Sequence, residues 1–260
     1  GIRDLVRSRG LGDVYKRQIL NGVDYDEWSP AIDEFIPQTF DNDDLVGKAV
    51  CKEALQKAFN LPVRADVPLI GLVGRLAEQK GITLLSSAIW NLMEMDIQIV
   101  LLGAGEKWAE HFFSDVATKY PHKFGCFIGY KNDLSHQIEA GSDMFLMPSL
   151  FEPCGLNQIY SLRYGTVPIV RATGGLDDTI QNYESTTQSG TGFKFYDATP
   201  EALTGTVKWA VDVWYHDKEG FEKVRQNGMK QRFDWAEAAQ GYEDLYRHII
   251  GGRRLSSVHQ

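Results

Sequence analysis

The sequence predicts an α/β fold in which a doubly wound parallel sheet is covered by helices, with further helices at the C-terminal end. Two observations support this prediction. Short, nearly continuous apolar runs such as 68–73 and 97–102 are typical of strands that are buried on both faces. These runs alternate with helical patterns at a spacing that favours parallel strands joined by crossover helices.

The elements follow one another in a regular order along the chain. The first helix, at 43–59, is preceded by Asp residues and repeats apolar residues every three to four positions. After it, apolar runs predict strands at 68–73, 97–102, 124–128, 144–147 and 167–170, and the chain is predicted to be helical after 192–195. Helical patterns occupy the segments between these strands and the C-terminal part, namely 81–95, 106–119, 134–140, 155–164, 200–216, 218–230 and 235–250.

The 260 residues are 43 % hydrophobic and 24 % charged, as in an ordinary globular protein with one large or two small domains. Residues 1–18 carry four Arg and one Lys with little periodicity. We interpret them as a foreign leader, the alternative being a basic helix of the protein itself. Residues 19–250 are predicted to form one domain and 251–260 a tail.

Charge and cysteine content exclude several classes of function. The net charge of −8 argues against a nucleic-acid or anionic-membrane partner, so a phosphate-bearing ligand must be held by a few local basic residues. Cys51, Cys126 and Cys154 show no CxxC spacing, which disfavours a disulfide framework or a zinc site. No run reaches the ~20 apolar residues of a membrane span. We expect a cytoplasmic protein without a metal site.

Ligands bind at the carboxyl ends of the strands in sheets of this kind, so chemistry should follow each apolar run. After 68–73 come Arg75 and Lys80, which flank a loop that opens a helix. Two cations beside a helix N-terminus favour the binding of a diphosphate. The alternative is a solvated basic loop.

The run 144–147 is followed by Glu152, with Pro153 and Gly155 after it. Pro153 restricts Glu152 to an extended backbone, and Gly155 lets a ligand approach the amides that follow. A carboxylate in this place can hold a sugar hydroxyl or stabilise an oxocarbenium-like centre. The alternative is that Glu152 caps the next helix.

Two further strand ends carry weaker signals. Tyr130 follows 124–128 and offers a flat face for a base, or else packs in the core or at the rim. The turn of Thr173, Gly174 and Gly175 could approach a phosphate or sugar, or could simply require a positive φ. Several such turns at successive strand ends predict one rim around one crevice, which indicates a donor-nucleotide site.

Five segments now point to a family. NGVDYDEW (21–28), GLVGRLAEQKG (71–81), FIGY (127–130), residues 149–179 and GTGFKF (190–195) resemble the C-terminal domain of bacterial glycogen synthases and plant starch synthases. The resemblance extends from about residue 19 to about residue 247. It implies the Rossmann-like, donor-binding half of a GT-B glucosyltransferase. Such enzymes transfer glucose from ADP-glucose or UDP-glucose to the non-reducing end of an α-1,4-glucan, with retention and without a metal or cofactor.

The resemblance also implies roles for individual residues. Arg75 and Lys80 take the positions of cations that replace a divalent metal, and Glu152 takes that of the active-site acid near the transferred glucose. The remaining donor-binding positions are the aromatic beside the adenine, the glucose-pocket lining, the amides facing the phosphates and the glycine turn: Tyr130, Cys154, Gly155, Leu156, Asn157, Thr173, Gly174 and Gly175.

The chain departs from the family pattern in places. Tyr160 stands where related retaining transferases have a second Glu, and Asn157 stands where Thr is frequent. The Lys-x-Gly-Gly-Leu loop and the His of the family's N-terminal domain do not occur in these 260 residues. We therefore expect this chain to need that domain for the glucan acceptor and to be inactive alone.

Three other functions were considered. The first is another GT-B transferase, and the second is a nucleotide-sugar-binding or glucan-binding module without turnover. A plain NAD-binding domain is disfavoured because no GxGxxG follows the first strand.

Overall fold

Six parallel strands form one sheet in the order β3-β2-β1-β4-β5-β6. This is the doubly wound order in which the direction of winding reverses between β1 and β4. The predicted fold class is confirmed. The strands are β1 Leu69–Val73, β2 Gln98–Gly103, β3 Phe124–Ile128, β4 Met144–Met147, β5 Val167–Arg171 and β6 Phe193–Phe195.

This computed structural model describes residues 19–256, with the side chains of 19–250. Within that part, the helices are α1 Val46–Ala58, α2 Ile82–Glu94, α3 Lys107–Lys119, α4 Asn132–Gly141, α5 Asn157–Arg163, α6 Gly175–Thr179, α7 Pro200–His216, α8 Lys218–Met229 and α9 Trp235–Ser256. None of them is long and apolar enough to cross a membrane. The interpretation of residues 1–18 as a leader lies outside the described residues.

The chain divides into two compact units. The larger contains residues 25–231 and therefore the whole sheet. The described part of the smaller unit combines residues 19–24 with residues 232–256. Within it, the backbone N–H of Val23 donates to the Phe233 carbonyl at 2.8 Å.

Helices cover both faces of the sheet. On one face, Ile70 and Leu72 of β1 belong to a large buried cluster with residues of α2, α3, α7 and α8. On the other face, Gly71 of β1 lies directly against α4, since a Cβ there would be 2.6 Å from Ile138 Cγ2. The strands are thus buried on both sides, which explains why their sequences are continuously apolar.

Helix ends differ from the predicted bounds where side chains or glycine form a turn. The first helix begins at Val46 because Asp41 and Asp44 accept backbone hydrogen bonds in the preceding turn. Before α2, residues Glu78–Lys80 form a separate 3₁₀ turn. Gly81 follows with a φ of 74°, and a Cβ there would lie 1.9 Å from the Pro148 carbonyl oxygen. Only glycine fits this junction.

Candidate functional site

The loops that leave β1 and β4 meet at the carboxyl edge of the sheet. Since β1 and β4 are neighbours at the reversal of strand order, this is the place where such sheets form a crevice. The Leu150 backbone N–H donates to the Gln79 carbonyl at 2.9 Å. Gln79 Nε2 donates in turn to the Phe151 carbonyl at 3.1 Å. The loops are therefore joined by both backbone and side chain.

Lys80 and Glu152 form an ion pair across these loops, with Lys80 Nζ donating to Glu152 Oε2. The Glu152 carboxylate also accepts a hydrogen bond from Ser149 Oγ at 3.3 Å. Its side chain is only 8 % exposed, whereas that of Lys80 is 29 % exposed. A carboxylate so deeply placed needs a charged partner, and Lys80 supplies one. Glu152 does not cap a helix, so that alternative reading is wrong.

Arg75 lies on the same rim with an exposed side chain. Its Nη2 donates to Gln79 Oε1 at 3.1 Å, which ties the guanidinium to the residue that joins the two loops. Arg75, Lys80 and Ser149 all line one small cavity of about 50 Å³. The structure therefore pairs Lys80 with Glu152 and places Arg75 and Lys80 in the wall of the same cavity.

The glycine turn after β5 packs against the Glu152 loop. The Gly175 N–H donates to the Glu152 carbonyl at 3.0 Å. A Cβ at Gly174 would lie 2.1 Å from that carbonyl oxygen, and one at Gly175 would lie 2.0 Å from the Cys154 carbonyl oxygen. Gly174 also has a φ of 49°. Close backbone approach and positive φ account for these glycines, while a ligand role for them and for Thr173 stays a prediction.

Residues 154–157 lead into the short helix α5. Gly155 has a φ of 72°, and Gln158 Nε2 donates to the carbonyls of Cys154 and Gly155, each at 3.0 Å. Asn157 Nδ2 donates to the Val73 carbonyl at 3.1 Å, which ties the start of α5 to the end of β1. Leu156 is 40 % exposed. The predicted contacts of this segment with glucose and phosphate stay predictions.

Tyr130 follows β3, which is one of the two edge strands and is separated from β1 by β2. Its side chain is 85 % exposed, and its hydroxyl donates to Asn132 Oδ1 at 3.3 Å. Core packing is therefore excluded as the reason for an aromatic residue here. An exposed ring is compatible with stacking on a base, but it lies further along the rim than the Lys80–Glu152 pair.

Sequence reasoning missed three residues that position the site: Gln79, Ser149 and Arg171. Arg171, at the end of β5, donates from Nε to the Ser149 carbonyl at 2.8 Å and from Nη2 to the Leu150 carbonyl. It thereby fixes the loop that carries Glu152. The position of Arg171, a charged residue at the end of a buried strand, could have indicated its role from the sequence.

Tyr160, at the position of the absent second Glu, stacks on Trp28 with ring centroids 4.0 Å apart. Trp28 stacks on His136 as well, at 3.7 Å. Tyr160 is therefore part of an aromatic stack between α5, α4 and the segment before α1. Across residues 19–250, no cluster of three or more His, Cys, Asp or Glu side chains is arranged to hold a metal ion.

Comparison with known proteins places this geometry in a family. The profile described as "Glycosyl transferases group 1" matches residues 55–231. Glycogen synthase 1 of Geobacter metallireducens is 54 % identical over 253 residues, which is 97 % of this chain and 50 % of that protein. A glycogen synthase of Anaeromyxobacter dehalogenans is 49 % identical over 235 residues, which is 90 % of this chain and 49 % of that protein.

This chain thus spans about half the length of these curated relatives. A match over 97 % of the chain extends into residues 1–18, which do not contain any of the family's motifs named above. The interpretation of those residues as a foreign leader stays a prediction.

Solved structures give the same result. The catalytic domain of starch synthase IV from Arabidopsis thaliana, bound to ADP and acarbose, superposes with a TM-score of 0.82 at 36 % identity. The match covers 89 % of this chain and 48 % of that one. A sucrose-phosphate synthase from Thermosynechococcus elongatus, at 22 % identity and a TM-score of 0.56, shares the fold. With its parallel sheet, its site at the point of reversal and a profile match over most of its length, this chain belongs to the group 1 glycosyl transferases.

Proposed function

We propose that this chain binds the nucleotide-sugar donor of a retaining glucosyltransferase that extends an α-1,4-glucan from ADP-glucose. The observation that carries the proposal is the Lys80–Glu152 pair at the carboxyl ends of β1 and β4, with Arg75 on the same rim. In the proposed complex, these two cations and one carboxylate would contact a single donor molecule.

The cations are suited to the nucleoside diphosphate. When the bond between glucose and phosphate breaks, negative charge develops on the departing diphosphate. The guanidinium of Arg75 and the ammonium of Lys80 would stabilise that charge, as a divalent cation does in other transferases. The reaction proposed for this site requires no metal or other cofactor.

Glu152 is suited to the hexose. Its loop is held by Arg171 from one side and by the Gly174–Gly175 turn from the other. A fixed carboxylate can accept hydrogen bonds from sugar hydroxyls and favour positive charge on the reacting carbon. Glu152 is paired with Lys80, and the incoming diphosphate would share Lys80 with it.

The names of the relatives indicate which donor and acceptor to propose. Two of them are named glycogen synthase, and the starch synthase structure contains ADP and acarbose. Because this chain spans about half their length, we propose that the acceptor glucan is bound with the help of the N-terminal domain of such enzymes. By the same analogy with bacterial enzymes, we propose a cytoplasmic location.

Calorimetry on the chain as it stands tests donor binding. We expect ADP to bind more tightly than UDP or GDP, and maltooligosaccharide to bind weakly. The Arg75→Gln and Lys80→Gln variants should each weaken ADP binding by about tenfold or more. Lys57→Gln, which changes an exposed lysine on α1, serves as the control and should leave ADP affinity unchanged. Equal affinity in all four proteins would contradict the site.

Glucose transfer is tested in a fusion protein that supplies an N-terminal domain. Fusing residues 19–250 to the N-terminal half of the Geobacter metallireducens relative should restore glucose transfer from ADP-glucose to glycogen. This chain alone should show no elongation. Tight ADP binding without turnover in the fusion would favour a nucleotide-sugar-binding module instead. Preference for another sugar donor would favour a different GT-B transferase.

A further inference from the structure

A larger cavity, of about 470 Å³, opens at the opposite edge of the same sheet. It lies near the amino ends of β1 and β4, where Asp143 precedes β4 and Ala65 precedes β1. Helix α1 and the beginning of α8 form its other walls. Its volume lies within the range of ordinary small-molecule sites, which is roughly 300–1,000 Å³. The proposed donor function makes no use of it.

Cationic side chains outnumber carboxylates around this cavity. Four cations line it, namely Lys48, Lys52, Lys218 and Arg225, together with three carboxylates, Glu53, Asp143 and Glu222. Asp143 and Glu222 are occupied by Lys52 at 2.7 Å and by Arg225 at 2.9 Å. Glu53 pairs with Lys57, a cation that does not line the cavity.

Two of the four cations have no carboxylate partner among the described residues. Lys48 Nζ donates to the carbonyls of Ala140 and Tyr164 and to Thr166 Oγ1. Lys218 Nζ lies 4.0 Å from the centre of the Trp214 ring. Burial, followed by the nearby charge of Arg225, lowers the pKa of Lys48 to about 7. Lys48 therefore contributes less than a full positive charge near neutral pH, and Lys218 is the cation that remains for a ligand.

Arg225 provides an unused donor. Its Nη1 is bonded to Glu222 and its Nη2 lies 3.9 Å from Asp143 Oδ1, but its Nε is buried and has no hydrogen-bond partner among the described residues. A buried donor without an acceptor costs about 1–3 kcal/mol, so it calls for a partner. Next to it, Trp214, Phe221, Val50 and Val63 give the cavity apolar surface.

We propose that this cavity binds a small organic phosphate monoester, with the phosphate between Arg225 and Lys218 and its carbon skeleton on the apolar wall. A phosphate monoester carries about −1.5 to −2 charges and three strong acceptor oxygens. Lys218, which no carboxylate neutralises, and the unpartnered Nε of Arg225 would hold it. The cavity also has room for more than inorganic phosphate alone, and its apolar surface would contact the organic part.

Calorimetry with glycerol 3-phosphate at pH 7.5 tests this, with glycerol and inorganic phosphate for comparison. The Arg75→Gln/Lys80→Gln double variant lacks both cations of the proposed donor site. Glycerol 3-phosphate should still bind to this variant. In that background, Lys218→Met should weaken binding at least about threefold and Arg225→Gln about tenfold. Lys223→Met changes an exposed lysine of α8 that does not line the cavity, and it should have no effect.

Lys218 is exposed, so its variant tests the site even if Arg225→Gln does not fold. Three results would overturn the proposal: binding lost with Arg75 and Lys80, binding unaffected by Lys218→Met, or no binding at about 10 mM ligand. Stronger binding of glycerol 3-phosphate than of inorganic phosphate would support the contribution of the apolar wall, and the reverse order would refute it. ADP binding, which tests the carboxyl edge, is measured separately, so the two proposals can fail independently.

Discussion

The two edges of the sheet hold their charged side chains in different ways. At the carboxyl edge, Lys80 is 29 % exposed and pairs with a carboxylate on a loop held in place by glycine turns. At the amino edge, Lys48 is buried and donates to two backbone carbonyls, and Lys52 donates to the carbonyl of Val67 at 2.6 Å. A cation saturated by backbone groups stabilises the fold, whereas a cation with a solvent face can accept a ligand.

If that distinction holds, the largest loss of stability should come from the amino edge. Lys48→Met leaves three buried acceptors without their donor, and we expect the free energy of unfolding to fall by about 3 kcal/mol. Lys57→Met, on the same helix but 63 % exposed, should change it by less than about 0.5 kcal/mol. Urea denaturation of both variants measures the difference. Equal values would remove the distinction between the two kinds of cation.

At the carboxyl edge, substitutions should lower the rate of glucose transfer and not the stability. In the fusion that restores turnover, Glu152→Gln should lower the rate of glucose transfer by about 100-fold, because the fixed negative charge near the reacting carbon is lost. Glu201→Gln, which changes an exposed residue at the start of α7, is the control for charge alone. A rate for Glu152→Gln within a factor of a few of the parent would show that the carboxylate does not take part.

Glu139 on α4 makes stability depend on pH. Burial raises its pKa from 4.5 to about 8, against a hydrogen bond from Ser161 that lowers it. A raised pKa in the folded protein gives stability that is complete below the unfolded pKa of 4.5 and is lost as the pH rises through about 8.

Gln mimics the protonated acid and does not ionise. We therefore expect Glu139→Gln to gain on the order of 2 kcal/mol relative to the parent between pH 5 and pH 8. Denaturation curves at both pH values provide the measurement. A constant difference between variant and parent would show that Glu139 does not titrate in this window.

The smallest expected effect concerns the bond between α5 and β1. Asn157→Ala removes the hydrogen bond from Nδ2 to the Val73 carbonyl and should lower stability by about 1 kcal/mol. It should also weaken ADP binding slightly, because the start of α5 is no longer fixed beside β1. Asn91→Ala, which changes an exposed asparagine of α2, is the control and should leave ADP binding unchanged. If ADP binding is lost completely, Asn157 contacts the ligand with its side chain.

Local pattern was enough for the fold and for part of the site. Continuous apolar runs marked the strands because both faces of the sheet are covered, and Arg75, Lys80 and Glu152 were identifiable because each follows a strand. Gln79 and Arg171 were not identifiable, because they act by donating hydrogen bonds to backbone carbonyls of the loop that follows β4. Pairwise contacts between distant segments leave no periodic trace in a sequence.

By itself, the sequence determined the alternation of strands and helices and the group of residues at the carboxyl edge. Both follow from rules that act over a few neighbouring residues. Only the tertiary structure decided that Lys80 pairs with Glu152 and that Gly174 and Gly175 pack on the Glu152 loop. It alone revealed the basic cavity at the amino edge, because that cavity combines residues from 45 to 225. Such sites depend on which strands become neighbours, and that is settled by packing of the whole chain.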